Sequence, residues 1–109
     1  MAVVKANAYG HGLEIIAGAA DRSGLVGYFG VATEEEGVTL RKLTSLPILV
    51  LTSVLEDEVD TFITNDLEFT LCQKDLLDVI VRRAASLGKK AKVHLKVDTW
   101  MRRIGVEPD

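Results

Sequence analysis

Lys5 closes a short apolar run, Ala2-Val3-Val4, and is followed by Ala6, Asn7, Ala8, Tyr9, Gly10, His11 and Gly12. Dehydration among Val3, Val4 and Ala6 favours a neutral amine, which can attack an aldehyde carbon and form a Schiff base. The same residues allow a lysine paired with a carboxylate such as Asp98, and residue type alone leaves both readings open. Gly10 and Gly12 bracket a tight strand-to-helix turn, where backbone N–H groups and a helix N-terminus can meet a phosphate. Tyr9 either lends its hydroxyl to that phosphate or packs its ring in the turn. His11 reads as a turn residue without a chemical part. A second cluster runs from His94 through Leu95, Lys96, Val97, Asp98, Thr99, Trp100, Met101 and Arg102 to Arg103. Arg103 is permanently charged and a good donor to an oxyanion. A solvated basic turn is the alternative for Arg103 and the better reading of Arg102; His94 reads as packing or support for its neighbours, and Cys72 as a small apolar filler on a strand.

These residues need a scaffold, and the chain alternates short β-branched apolar runs with stretches of helical periodicity, the pattern of βαβ units around a parallel sheet. Five strands are expected: Ala2 to Asn7, Tyr28 to Ala32, Ile48 to Leu51, Glu68 to Leu71 and Lys92 to Asp98. Each is short and mostly apolar on both faces, as buried parallel strands are. Leu13, Ile16, Ala17 and Ala20 recur at helical spacing, with Gly24 as a C-cap. Thr33 followed by Glu34, Glu35 and Glu36 starts a second helix, the hydroxyl capping free N–H groups and the carboxylates forming a solvated first turn rather than a catalytic pair. Leu76, Leu77, Ile80, Val81 and Ala84 form an apolar stripe packed in the core and closed by Gly88. No linker or internal boundary is visible, so residues 1–109 read as one unit. A closed (β/α) barrel takes about 250 residues, so the chain reads as a partial TIM-type barrel of about five consecutive βα units. On that fold the C-terminal ends of the strands carry the active site, which would gather Lys96, Asp98 and Arg103 near Lys5. The outer strands, Ala2 to Asn7 and Lys92 to Asp98, would expose unpaired backbone.

Composition narrows the function classes. The 109 residues are 48% apolar and 27% charged with a net charge of −3, ordinary for a folded soluble domain. One cysteine cannot make an internal disulfide and suits a reducing, cytoplasmic compartment. No apolar run is long enough for a membrane span and no signal peptide is visible. Lysines scattered among carboxylates leave no basic stripe for nucleic acid.

The run Val3-Val4-Lys5-Ala6-Asn7-Ala8-Tyr9-Gly10-His11-Gly12 resembles the cofactor-lysine signature of bacterial alanine racemases, enzymes of fold type III that use pyridoxal 5'-phosphate. Related barrel decarboxylases share only a shorter alanine-lysine-alanine-asparagine setting. Phe29-Gly30-Val31-Ala32, Glu36-Gly37 with Leu40-Arg41, Pro47-Ile48-Leu49-Val50-Leu51, and Lys96-Val97-Asp98-Thr99 with Met101, Arg103 and Gly105 resemble the same family in order, across the whole chain.

The resemblance implies specific roles. Lys5 would carry the cofactor and act as base on one face of the substrate Cα, and Tyr9 would hold the cofactor phosphate. Lys96 matches a lysine that many members carry as a carbamate, which orients the arginine matched by Arg103 toward the cofactor's phenolic oxygen. The implied reaction interconverts L- and D-alanine, supplying D-alanine for the bacterial cell wall, with the cofactor acidifying the Cα proton. No metal is expected. Family members have further barrel strands and a C-terminal β-domain that donates a tyrosine base across a dimer interface. The chain therefore reads as an N-terminal portion of a homodimeric enzyme, without that β-domain and with little or no activity alone. Trp100 departs from the family pattern, which usually has glycine between the threonine and the methionine. Two alternatives accompany this reading: a non-catalytic, racemase-like binding or scaffold domain whose pocket Trp100 closes, and a racemase acting on serine or a broader set of amino acids.

Overall fold

The computed structural model describes residues 1–108. Five strands alternate with helices in an α/β fold: β1 (Ala2–Val3), β2 (Phe29–Val31), β3 (Ile48–Ser53), β4 (Glu68–Leu71) and β5 (Lys92–Leu95). The helical elements are α1 (Lys5–Tyr9), α2 (Leu13–Ser23), α3 (Glu34–Arg41), α4 (Val59–Thr64) and α5 (Leu76–Leu87), with a 3₁₀ turn at Glu56–Glu58 before α4. Strand order follows chain order, β1-β2-β3-β4-β5. No helix of the described residues is long and apolar enough to cross a membrane. The chain divides into two compact units, Met1–Leu51 and Thr52–Asp109.

In the first unit β1 pairs in parallel with β2, Ala2 opposite Phe29 and Val3 opposite Gly30. β2 pairs with β3 through Phe29–Ile48, Gly30–Leu49 and Val31–Val50. Every residue of β2 is buried, as an all-apolar parallel strand requires. Leu13 and Ala17 turn inward from α2, and Leu40 from α3. Ile16 of the expected α2 stripe is instead 38% exposed. Gly24 ends α2 at φ 66° and Thr33 caps α3, both as the sequence suggests.

The first strand is shorter than its apolar run. The Val4 N–H still donates to the Gly30 carbonyl at 2.8 Å, but from Ala6 to Tyr9 the backbone enters the left-handed region, with φ between 52° and 55°. The Ala8 N–H returns to the Val4 carbonyl at 2.9 Å, so α1 is one left-handed turn. Such a turn costs roughly 1–2 kcal/mol per non-glycine residue, a tertiary choice that strand propensity does not reveal.

In the second unit β4 and β5 pair in parallel, from Glu68–Lys92 to Leu71–Leu95. Phe62 of α4 and Phe69 of β4 are buried and stack at a tilt, ring centroids 5.1 Å apart. A helix between the third and fourth strands is not among the expected elements, yet Val59, Phe62 and Ile63, spaced i, i+3, i+4, are the buried face of α4. Two expectations are corrected here. All four residues of β5 are exposed, so both faces of this strand are left open, since successive side chains of a strand point to opposite faces of the sheet. The α5 stripe is also rotated: Ile80 is buried while Leu77 and Val81 are 47% and 60% exposed. Leu76, Val79 and Ala84 are half-buried instead, so the inward face follows 76, 79, 80 and 84. Cys72 falls just past β4, half-buried.

Candidate functional site

Lys5 is the first residue of α1, just before the left-handed residues Ala6 to Tyr9 and separated from the C-terminal end of β1 by Val4. It is half-buried, with Val4 buried before it and Ala6 exposed after it, and Val3 is also exposed. Of the three apolar neighbours expected to dehydrate it, only Val4 is buried. Among the described residues the Lys5 amine has no ion pair or hydrogen bond. Tyr9 ends the turn, 61% exposed, with its hydroxyl unbonded among the described residues.

The glycine turn differs from expectation. Gly10 and Gly12 hold φ 86° and 95°, which glycine adopts without steric cost. The N–H groups of this turn are already used: Gly10 donates to the Ala6 and Asn7 carbonyls, His11 to Ala8 and Gly12 to Asn7, all within 3.1 Å. The Leu13 N–H, at the start of α2, donates to the Asn7 side-chain oxygen at 2.8 Å. Gly10, His11, Gly12 and Leu13 therefore offer no free backbone donor to a phosphate. The His11 ring donates from Nδ1 to the Ala8 carbonyl at 3.0 Å, a local turn contact.

Glu36 is the residue the sequence reading undervalues. Its Oε1 accepts the Ala6 N–H at 2.6 Å, while Oε2 accepts Ala32 at 2.9 Å and Thr33 at 3.3 Å. Its own N–H donates to the Thr33 hydroxyl at 3.2 Å, completing a capping box. The Thr33-x-x-Glu36 spacing announces the cap. The reach to Ala6, 30 residues away, has no local signature.

In the second unit the Lys96 N–H pairs with the Leu71 carbonyl, and its own carbonyl accepts the Val106 N–H, at 2.9 and 2.8 Å. The Asp98 N–H donates to Val106, closing residues 98–106 into a loop. Gly105, at φ 136°, makes this closure possible: a Cβ there would lie 2.8 Å from the Asp98 nitrogen. Asp98 Oδ1 accepts the Trp100 and Arg102 N–H groups at 3.1 and 3.0 Å, so Asp98 organises its own loop. Arg103 is exposed, and neither its guanidinium nor the half-buried Lys96 amine has a partner among the described residues. Arg102 lies 5.7 Å from the Trp100 ring centroid, and Trp100 is 86% exposed with φ 110°. His94 pairs with Glu68 on the adjacent strand at 2.6 Å. Lys5 and Tyr9 thus belong to the first unit, Lys96 and Arg103 to the second.

Within the first unit the donor set is a primary amine without a counter-ion and an unbonded phenol; the second unit by itself presents an unpaired guanidinium and a second unpaired amine. These groups fit an anionic aldehyde cofactor.

The family model described as "Alanine racemase, N-terminal domain" matches residues 1–109. An alanine racemase of Symbiobacterium thermophilum is 48% identical over 99% of this chain and 29% of its own length. The solved alanine racemase of Clostridium difficile superposes with a TM-score of 0.92 at 38% identity, over 99% of this chain and 28% of that one. A solved histidine racemase of Leuconostoc mesenteroides subsp. sake gives 0.88 at 31% identity, over 98% and 29%. The chain therefore spans under a third of these relatives, and its five strand–helix repeats match the N-terminal barrel portion of the solved alanine racemases. Motif, fold and family model converge on one conclusion: this chain belongs to the alanine racemase family, in the part that forms its N-terminal domain.

Proposed function

We propose that this chain supplies the cofactor-lysine part of a pyridoxal-phosphate-dependent racemase that interconverts L- and D-alanine. The observation that carries this reading is Lys5: an amine without a partner among the described residues, at the C-terminal end of a parallel strand, on backbone tied to a neighbouring strand end. Bound pyridoxal phosphate supplies an electron sink that acidifies the Cα–H of an amino acid joined to it. The chain's own residues bind and move protons. Lys5 Nζ attaches the cofactor and exchanges the proton on one face of Cα. Tyr9 donates its hydroxyl to the phosphate. Arg103 donates to the phenolic oxygen, oriented by Lys96, whose unpartnered amine is available for carbamylation.

The remaining proposals follow from the family: residues 1–109 as one partial barrel domain, a homodimeric enzyme in the cytoplasm completed by a C-terminal β-domain, and D-alanine supplied for peptidoglycan. The 109 residues alone are expected to be inactive, since under a third of a relative's length is present. Pyridoxal phosphate followed by borohydride should leave a stable adduct that peptide mass mapping places on Lys5, and Lys5→Ala should abolish it. An adduct on another lysine with Lys5 unmodified overturns the reading, and no adduct at all in the full-length protein favours the scaffold alternative.

One observation supports a wider substrate range: the histidine racemase is matched nearly as well as the alanine racemases. Exchange of the Cα proton in D₂O with alanine, serine and histidine separates these readings.

A further inference from the structure

We propose that Glu36 is a positioning residue for Lys5, its carboxylate clamping the Lys5–Ala6 peptide to the C-terminal end of β2 and so setting the direction in which the lysine amine projects. This rests on Lys5 being the cofactor lysine. The amide that meets Glu36 Oε1 at 2.6 Å is the N–H of Ala6, which belongs to the peptide plane formed with the Lys5 carbonyl. Holding that plane fixes rotation about the Lys5 Cα–C bond, and with it the Cα–Cβ vector. The preceding residue is held independently, by the Val4 N–H on the Gly30 carbonyl at 2.8 Å. Beyond Ala6 the chain is left-handed through Tyr9, a conformation that persists only where surrounding contacts over-determine it. Among the described residues, Glu36 supplies the one side-chain bond to residues 5–9 from outside residues 4–13.

The chemistry of the clamp requires a carboxylate. Three donors converge, Ala6 on Oε1 and Ala32 with Thr33 on Oε2, so both oxygens must accept. A glutamine would turn an NH₂ group against at least one N–H donor. Glu36 thus joins the cap of α3 to the placement of Lys5. A displacement of about 1 Å in a reacting group can cost a hundredfold in rate.

The test compares the unsubstituted full-length protein with Glu36→Gln, Glu36→Asp and Thr33→Ala. The last weakens the α3 cap but leaves the Ala6 contact in place. Pyridoxal phosphate attachment at Lys5 is timed by borohydride quenching and peptide mass, alongside the pH profile of the visible absorbance of the bound cofactor and hydrogen exchange at the Ala6 amide. Glu36→Gln should slow attachment at least tenfold, shift the pH profile and speed Ala6 exchange, whereas Thr33→Ala leaves rate and profile within twofold while lowering Tm. Glu36→Asp keeps the charge but is one methylene short of Ala6. It should reproduce the slowing, and supplies the answer should the glutamine variant not fold. Unchanged attachment in both Glu36 variants, or slowing that tracks Tm equally in Thr33→Ala, overturns the proposal and leaves the Lys5 assignment standing. Failure of the unsubstituted protein to attach cofactor at Lys5 overturns both.

Discussion

Asn7 shows how one side chain can serve two local needs. It lies in the left-handed turn at φ 55° and its Oδ1 accepts the Leu13 N–H at 2.8 Å. Asparagine tolerates the left-handed region better than most residues because its short amide bonds locally. Asn7→Ala removes the bond that satisfies the start of α2, and urea unfolding should show a loss of about 1 kcal/mol. Trp100 presents the opposite case. A bulky L residue at φ 110° is strained, and the family resemblance puts glycine there. Substitution by glycine releases that strain, whereas alanine retains it and both lose the contact with Arg102. Trp100→Gly should therefore be more stable than Trp100→Ala by about 1 kcal/mol in the same assay.

At the scale of elements, α4 and α5 are tied by Asp60 and Arg83, whose guanidinium donates from Nε to Oδ1 at 2.7 Å and from a second nitrogen to Oδ2. The hydrogen bonds from Arg83 hold the Asp60 carboxyl below the ordinary aspartate range and raise Arg83 in turn. The folded-state pKa of Asp60 is depressed, so the stabilisation is complete above the unfolded value and disappears as pH falls through the folded one. Both side chains are nearly half exposed, so the effect is small and screened by salt. Thermal unfolding of Asp60→Asn should match the unsubstituted protein at strongly acidic pH and fall slightly below it at neutral pH, the gap narrowing in 1 M salt. A gap that persists undiminished at acidic pH would refute this account.

Across the whole molecule, a net charge of −3 gives weak mutual repulsion between copies, while several large apolar side chains remain uncovered. Leu95 of β5 is 62% exposed and Val93 36% exposed, with Val97 just beyond at 44%. An exposed apolar strand at the end of a sheet is a template for association. The 109-residue chain should therefore self-associate with rising concentration in sedimentation, and Leu95→Lys should shift it toward monomer. Equal sedimentation of the two proteins across a hundredfold concentration range would count against this.

What the sequence determined unaided is everything carried by local periodicity and residue type. The five apolar runs became five strands, Gly24 and Gly88 ended helices at positive φ, and Thr33 capped α3. These are short-range properties, set within a few residues of backbone. The motif around Lys5 was equally legible as a mark of the family. Tertiary structure alone decided that the chain leaves β1 in a left-handed turn, that Glu36 crosses 30 positions to hold Ala6, and which side of α5 faces inward. A periodicity shows that an apolar face exists, and a carboxylate shows that it can accept. Which neighbour each one meets depends on contacts between residues far apart in the chain, and those exist only once the strands and helices have packed.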